Sequence, residues 1–277
     1  MTVAAAAPEG FQVAIRGRST FIAQGSSFEA LREAGLDRAD GWDRWTGGKG
    51  ARAGRGATAA LKLPDGSRLR LKQLRRGGAL APLWCERFSG SRRLLDNLRI
   101  PLAAAGRGVV TPSPVVLLLE QVPPGLFRGW LGTEEIEGSS DLAARFGSGR
   151  NLERGELESA MNLVRKMHDV GLDHRDLNLG NLLLQDQGAG RSTAWVCDLD
   201  GARLMTAPVD FESRQSALRR LERSYVKVCA PGEPSQETRD AFYRFYAAGD
   251  RSLAERLERG RSAGRGWIFL HRMGWRR

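Results

Sequence analysis

Asp173-His174-Arg175-Asp176-Leu177-Asn178-Leu179-Gly180-Asn181, followed by Trp195-Val196-Cys197-Asp198-Leu199-Asp200-Gly201, decides how this chain reads. Asn181 stands five residues after Asp176, and Asp198 stands 22 residues after it. The acidic groups sit after or beside short apolar runs of strand type. Such a set supplies a carboxylate to orient and deprotonate a hydroxyl, plus an amide and a second carboxylate to hold magnesium, as phosphoryl transfer requires. An Asp and an Asn five apart are a weak signal alone. Two linked halves at this spacing are a strong one.

Just upstream, Leu157, Met161, Val164 and His168 recur at i, i+4, i+7 and i+11. They predict an amphipathic helix over about 152–169, with Gly171 as its stop. His168 reads as a packed helix-end histidine rather than a ligand. Downstream, residues 181–185 and 193–197 predict strands around a turn at Gly188 and Gly190. Helices follow over 212–227, 238–248 and 253–258, and the first carries Arg214, Arg219, Arg220 and Arg223. The tail holds Trp267 and Trp275.

Toward the N-terminus, residues 1–10 read as a frayed tail, 12–15 as a strand and 28–34 as a short helix. A glycine-rich stretch over 47–58 contains Gly54 and Gly56. It leads into strands over 59–63 and 68–74, joined by the turn Pro64-Asp65-Gly66-Ser67. Without side chains, backbone N–H groups there can approach phosphate oxygens; the bland alternative is a flexible Gly/Arg linker. Lys72, on the second strand, is placed to pair with nucleotide phosphates, against the alternative of a surface lysine. A helical segment is predicted over about 82–105, interrupted by Pro101. It should carry the acidic partner of Lys72, for which Glu86 and Asp96 are the candidates beside the non-acidic Asn97. Strands over 115–121 and 130–135 precede a hinge at 138–140. The domain reading is a tail over 1–10, an N-lobe over 11–137 and a C-lobe over 138–277.

At 277 residues and 41% hydrophobic content the chain can bury a sizeable core, in one large domain or two lobes sharing a cleft. A net charge of +11, nearly all from arginine, points to an anionic partner: phospholipid headgroups, a phosphorylated glycolipid, a nucleotide or nucleic acid. The bland alternative is that a GC-rich genome inflates Arg and Ala. The isolated cysteines Cys85, Cys197 and Cys229 lack metal-ligand spacing and fit a reducing compartment. The first eight residues lack the basic and long apolar regions of a signal peptide, and the apolar run at 115–119 is too short to span a bilayer. The expectation is a soluble or peripheral cytoplasmic protein.

Asp176 is the candidate base, and Asn181 and Asp198 are the candidate magnesium ligands. His174 reads as packing beneath the loop, and Arg175 as a brace or a phosphate contact. Asp200 is either a second metal ligand or a structural carboxylate paired with Arg203. Position 178 is Asn where Ser/Thr protein kinases carry Lys, and no A-P-E segment follows Asp198. Both departures argue against a protein substrate and for a small-molecule acceptor.

The stretches Gly54-Arg55-Gly56, Leu71-Lys72-Gln73-Leu74-Arg75-Arg76-Gly77-Gly78, residues 171–183, and Val196-Cys197-Asp198-Leu199-Asp200-Gly201-Ala202-Arg203 together resemble the lipopolysaccharide kinase (Kdo/WaaP) family. The likeness is strongest to its 3-deoxy-D-manno-octulosonic acid (Kdo) kinase branch and spans about residues 50–230. It implies an α+β, protein-kinase-like bilobal fold with a small β-rich N-lobe and a larger, mainly helical C-lobe. It also implies ATP with Mg²⁺, and transfer of phosphate to a Kdo or heptose hydroxyl of the lipopolysaccharide inner core. The implied location is peripheral, on the cytoplasmic face of the inner membrane. By position the resemblance assigns Asp176 as base, Asn181 and Asp198 as metal ligands, Lys72 as the nucleotide lysine, and Gly54 and Gly56 to the nucleotide loop. The implied partners are a lipid A core precursor and an anionic membrane surface held by Arg-rich helices such as the one near Arg219 and Arg220, with no nucleic acid. Two alternatives stand beside it: another small-molecule kinase of aminoglycoside or choline type, and a degenerate kinase acting as a glycolipid-binding scaffold.

Overall fold

The computed structural model describes residues 7–46, 58–75, 86–149, 152–188, 191–230, 232 and 234–263. Gly54 and Gly56, most of the predicted tail at 1–10, Arg76, Gly77, Gly78, Cys85, Gly190, Trp267 and Trp275 lie outside them. The chain divides into two units, the first from residues 1–103 and 112–135, the second from 104–111 and 136–277.

The first unit is built on an antiparallel sheet whose described strands run in the order β1 (Phe11–Arg16), β2 (Ser19–Gln24), β5 (Pro114–Val122), β6 (Leu126–Glu134), β4 (Arg68–Gln73) and β3 (Thr58–Lys62). The β3–β4 hairpin is the one its turn chemistry predicts. Asp65 Oδ1 accepts from the backbone N–H of Ser67 at 2.9 Å, and Gly66 takes a φ of +87°. The run at 115–119 shows no alternation because both faces of the sheet are covered. Phe21, Leu69, Leu71, Val116, Leu118 and Trp130 pack with Phe28 and Leu31 of α1 (Phe28–Glu33) and Trp42 of α2 (Ala39–Thr46). Ile22, Leu74, Leu117, Leu119 and Leu131 pack on the other face with Leu94, Leu95 and Leu98 of α3 (Arg92–Gly106). Gly132 is required at the sheet centre, where a Cβ would stand 2.6 Å from Val116 Cγ1.

Two expectations for α3 are corrected. Of the predicted segment, residues 82–85 lie outside the described ones, and 86–91 are not helical. There Phe88 instead bridges Phe127 at the end of β6. Nor does Pro101 interrupt the helix, which runs through it. A proline inside a helix costs about 3 kcal/mol; the buried leucines that α3 sets on the sheet outweigh it.

In the second unit β7 (Ser139–Asp141) pairs with β9 (Leu182–Asp186), which pairs with β10 (Ser192–Val196). Of the predicted hinge at 138–140, Ser139 and Ser140 therefore lie in a strand. The short strands β8 (Leu172–Asp173) and β11 (Arg203–Leu204) form a second ladder. The helices are α4 (Leu142–Gly147), α5 (Arg154–Asp169), α6 (Phe211–Cys229), α7 (Gln236–Ala247) and α8 (Arg251–Ala263). The stripe that predicted α5 is the buried one, with Leu157, Met161, Val164 and His168 all in the core. A strand-rich first half and a helical second half give the α+β class that the sequence predicts.

Candidate active site

The end of α5 fixes where the loop at 173–181 begins. Gly171 adopts a φ of +86°, and a Cβ there would stand 2.5 Å from the Met205 carbonyl oxygen and 2.6 Å from that of Ala207. Only glycine fits both the conformation and the approach. Its carbonyl accepts from Met205 N–H at 2.9 Å, and the His168 carbonyl accepts from Val209 N–H at 2.9 Å. The His168 side chain is fully buried, with Nδ1 at 2.8 Å from the Tyr246 hydroxyl. Burial first, then the charge of Arg214, drives its pKa down to about 3, so it is a neutral packing group as its spacing predicts.

The loop itself is built around one backbone oxygen. The carbonyl of Asp176 accepts from Asn178 Nδ2 at 2.9 Å and from Asn181 Nδ2 at 3.0 Å. Asn178 Oδ1 in turn accepts from Gly180 N–H at 2.9 Å, an Asx turn that the Asn-Leu-Gly order encodes. These bonds hold the exposed Asp176 carboxylate on a fixed backbone. Asn181 is 9% exposed, and with its nitrogen engaged its side-chain oxygen accepts no hydrogen bond from the described residues.

Asp198 joins the same place through its neighbour. Cys197 N–H donates to the Asn181 carbonyl at 2.9 Å, and His174 Nε2 donates to the Cys197 carbonyl at 3.1 Å. The buried His174 is thus the brace under the loop that the sequence predicts. Burial pushes its imidazole below the ordinary histidine value, opposed by the Cys197 carbonyl, Asp198 and Asp176. Asp198 is exposed and takes a φ of +59°. A non-glycine residue there costs about 1–2 kcal/mol, a strain of the kind that clusters at functional sites.

Asp176, Asn181 and Asp198 are therefore brought together within the second unit. Asn181 Oδ1 and the Asp198 carboxylate are hard oxygen donors of the kind magnesium takes. Among the described residues no three His, Cys, Asp or Glu side chains converge as a cage. A magnesium ion on this pair fits only with waters and substrate phosphates completing its shell, which is its usual habit.

Lys72 belongs to the first unit, half-buried on β4 opposite Thr58 and Leu131. Strand alternation sets it on the sheet face that carries Leu74 and α3. Of its candidate partners, Glu86 lies 3.2 Å from Arg75 and 3.4 Å from Arg128. Asn97 is buried and donates to the Arg93 carbonyl at 3.0 Å. Arg175 is exposed and stands 3.7 Å from Asp173. Sequence reasoning missed one tie. The hydroxyl of Ser224 on α6 accepts from Leu179 N–H at 3.3 Å, and nothing in a helical serine announces it.

A carboxylate, an amide oxygen and a second carboxylate brought together in this way could serve phosphoryl transfer. The model of the lipopolysaccharide kinase (Kdo/WaaP) family matches residues 51–246. A 3-deoxy-D-manno-octulosonic acid kinase of Xylella fastidiosa is 31% identical over 72% of this chain and 77% of its own. One from Actinobacillus succinogenes is 29% identical over 68% and 79%, and one from Pasteurella multocida 27% identical over 76% and 88%. A solved structure described as WaaP in complex with acyl carrier protein is 21% identical, covers 74% of this chain and 83% of that one, and has a TM-score of 0.48. The chain is a phosphotransferase. It belongs to the lipopolysaccharide kinase (Kdo/WaaP) family.

Proposed function

We propose that this protein transfers the terminal phosphate of ATP to a sugar hydroxyl, of Kdo or heptose, in the inner core of lipopolysaccharide. The observation that carries the reading is the division of labour in Asn181. Its amide nitrogen clasps the Asp176 backbone, leaving its side-chain oxygen for a cation beside Asp198. The names carried by the relatives support Kdo as the acceptor.

Asp176 accepts the proton of the acceptor hydroxyl as that oxygen bonds to phosphorus, and ADP departs with the bridging oxygen and its electron pair. Asn181 Oδ1 and the Asp198 carboxylate would hold Mg²⁺, which neutralises charge developing on the phosphates. His174 keeps the base and the ligand pair in one frame through the Cys197 carbonyl. The likeness to the family assigns Lys72, Gly54 and Gly56 to the nucleotide phosphates. Work on a lipid-borne sugar places the protein peripherally at the cytoplasmic face of the inner membrane, held there by its basic charge.

The test is incubation of the full chain with ATP, magnesium and a Kdo-bearing lipid A precursor, read by mass spectrometry as one added phosphate. Asp176→Asn should cut the rate at least ~100-fold, at the low end for loss of a general base, and leave the unfolding midpoint nearly unchanged. An active Asp176→Asn protein would remove Asp176 as the base. Phosphorylation of an aminoglycoside or choline, with the Kdo lipid untouched, would overturn the acceptor class.

A further inference from the structure

Helix α6 lies along the candidate catalytic loop, tied to it where Ser224 Oγ accepts from Leu179 N–H. One turn earlier on the same side of the helix stands Arg220, and Arg223 is one residue before Ser224. Both arginines are half-buried. Arg220 Nη1 donates to Ser216 Oγ at 3.1 Å, while its Nε is buried without a hydrogen-bond partner. Among the described residues no carboxylate lies within ion-pairing distance of either guanidinium. Burial holds Arg220 below the ordinary arginine value, Asp173 raises it, Arg223 lowers it and Asp176 raises it. Arg220 is therefore within electrostatic reach of the candidate base.

Four other buried or half-buried arginines of this unit are neutralised, whereas Arg219 on the same helix donates to the Gly260 carbonyl at 2.6 Å and has no carboxylate partner among the described residues. Arg145 pairs with Glu156 and Asp186, Arg214 with Asp169, and Arg239 and Arg261 with Glu222. Withdrawing a guanidinium from water is costly without such a partner. Setting two of them three residues apart on one helix adds repulsion. An arginine pair kept in that condition beside a phosphoryl-transfer loop is suited to an anion that arrives with the substrate, which the planar fork binds in two-point fashion.

We propose that Arg220 and Arg223 bind a carboxylate carried on the same sugar as the reacting hydroxyl, and so select acidic sugars as acceptors. This rests on the reading of Asp176 as the base. A carboxylate on the reacting ring is preferred to a lipid phosphate because Arg220 lies one helical turn from Ser224, which is tied to the loop that carries Asp176, where the hydroxyl must sit. The two residues are specificity determinants: they touch substrate and take no proton.

The test uses steady-state kinetics on the full chain, with ATP and either a Kdo-bearing lipid A precursor, its carboxyl methyl ester, or its dephosphorylated form. Arg220→Met should raise the acceptor KM roughly 10- to 100-fold, as expected for a lost charge-assisted hydrogen bond, with the ATP KM within about twofold. Esterification should cost the wild type a similar factor and the variant little more. Arg220→Lys should recover only part of the loss, and Arg223→Met should repeat the pattern if Arg220→Met does not fold. Four results overturn the proposal. Esterification costing wild type and variant equally removes the contact. A fall in kcat at unchanged acceptor KM makes Arg220 a brace of the loop. Sensitivity to dephosphorylation instead of esterification makes the anion a lipid phosphate. Failure of the wild type to phosphorylate the intact precursor defeats the functional reading itself and takes this inference with it, whereas the first three leave that reading standing.

Discussion

His168 shows how one residue ties the frame of the site to pH. It is fully buried at the end of α5, its Nδ1 against the Tyr246 hydroxyl and its Nε2 without a partner. Arg214, Arg220, His174 and Arg165 surround it with positive charge or its prospect, so a proton there is opposed by both burial and repulsion. The folded imidazole stays neutral down to about pH 3, whereas the unfolded one takes a proton near pH 6.5. Between those values the unfolded state binds more protons, so stability is full above about pH 6.5 and is lost as pH falls. The slope for one such group is about 1.4 kcal/mol per pH unit. Urea unfolding at a series of pH values should show this loss in the wild type, and a shallower dependence by that slope in His168→Gln. Equal slopes would mean that His168 takes up its proton without opening the core. Burial also pushes the His174 imidazole below the ordinary histidine value, and its Nε2 donates to the Cys197 carbonyl next to Asp198.

At the scale of elements, one buried guanidinium joins what the chain order separates. Arg145 in α4 donates to the Ser140 hydroxyl of β7 at 2.7 Å, the Leu184 carbonyl of β9 at 2.9 Å and Asp186 at 3.0 Å. It also pairs with Glu156, whose other oxygen accepts from Glu153 N–H at 2.7 Å to cap α5. Arg145→Met strands that carboxylate in the core without its cation and should cost about 3–5 kcal/mol in a denaturant titration. Adding Glu156→Leu should recover most of it, and a double variant as unstable as the single one would show that the pair contributes more than mutual neutralisation. Nothing in the spacing of Arg145 and Glu156 foretells this, because among so many arginines a buried one looks like a solvated one. The same blindness hid Arg220. The shape of the loop at 173–181 was legible because the residues that build it, Asp176, Asn178, Gly180 and Asn181, lie close together in the chain, and the β3–β4 hairpin because Asp65 and Gly66 encode their turn. The start of α3 was not legible: the Phe88–Phe127 bridge that displaces the helix to Arg92 is a contact between residues 39 positions apart.

For the molecule as a whole the decisive quantity is charge that internal pairing does not cancel. The sequence holds 43 Lys and Arg against 32 Asp and Glu. Arg145, Arg214, Arg239 and Arg261 are committed to internal carboxylates. Internal pairs of this kind cancel most of their own charge, so most of the net +11 lies elsewhere. No helix among the described residues is long and apolar enough to cross a membrane, and the proposed peripheral association would draw on this charge. Each basic residue close to an anionic leaflet contributes about 1 kcal/mol, and the attraction fades within a Debye length of about 10 Å at 0.1 M salt. The full chain should therefore sediment with phosphatidylglycerol-rich vesicles at low ionic strength, release as salt is raised toward about 0.5 M, and stay in solution with neutral phosphatidylcholine vesicles. Arg220→Met should pellet like the wild type, because that guanidinium is half-buried beside the loop rather than on an open face. Retention in high salt, or equal pelleting with neutral lipid, would show that the basic charge is not what binds the protein to lipid.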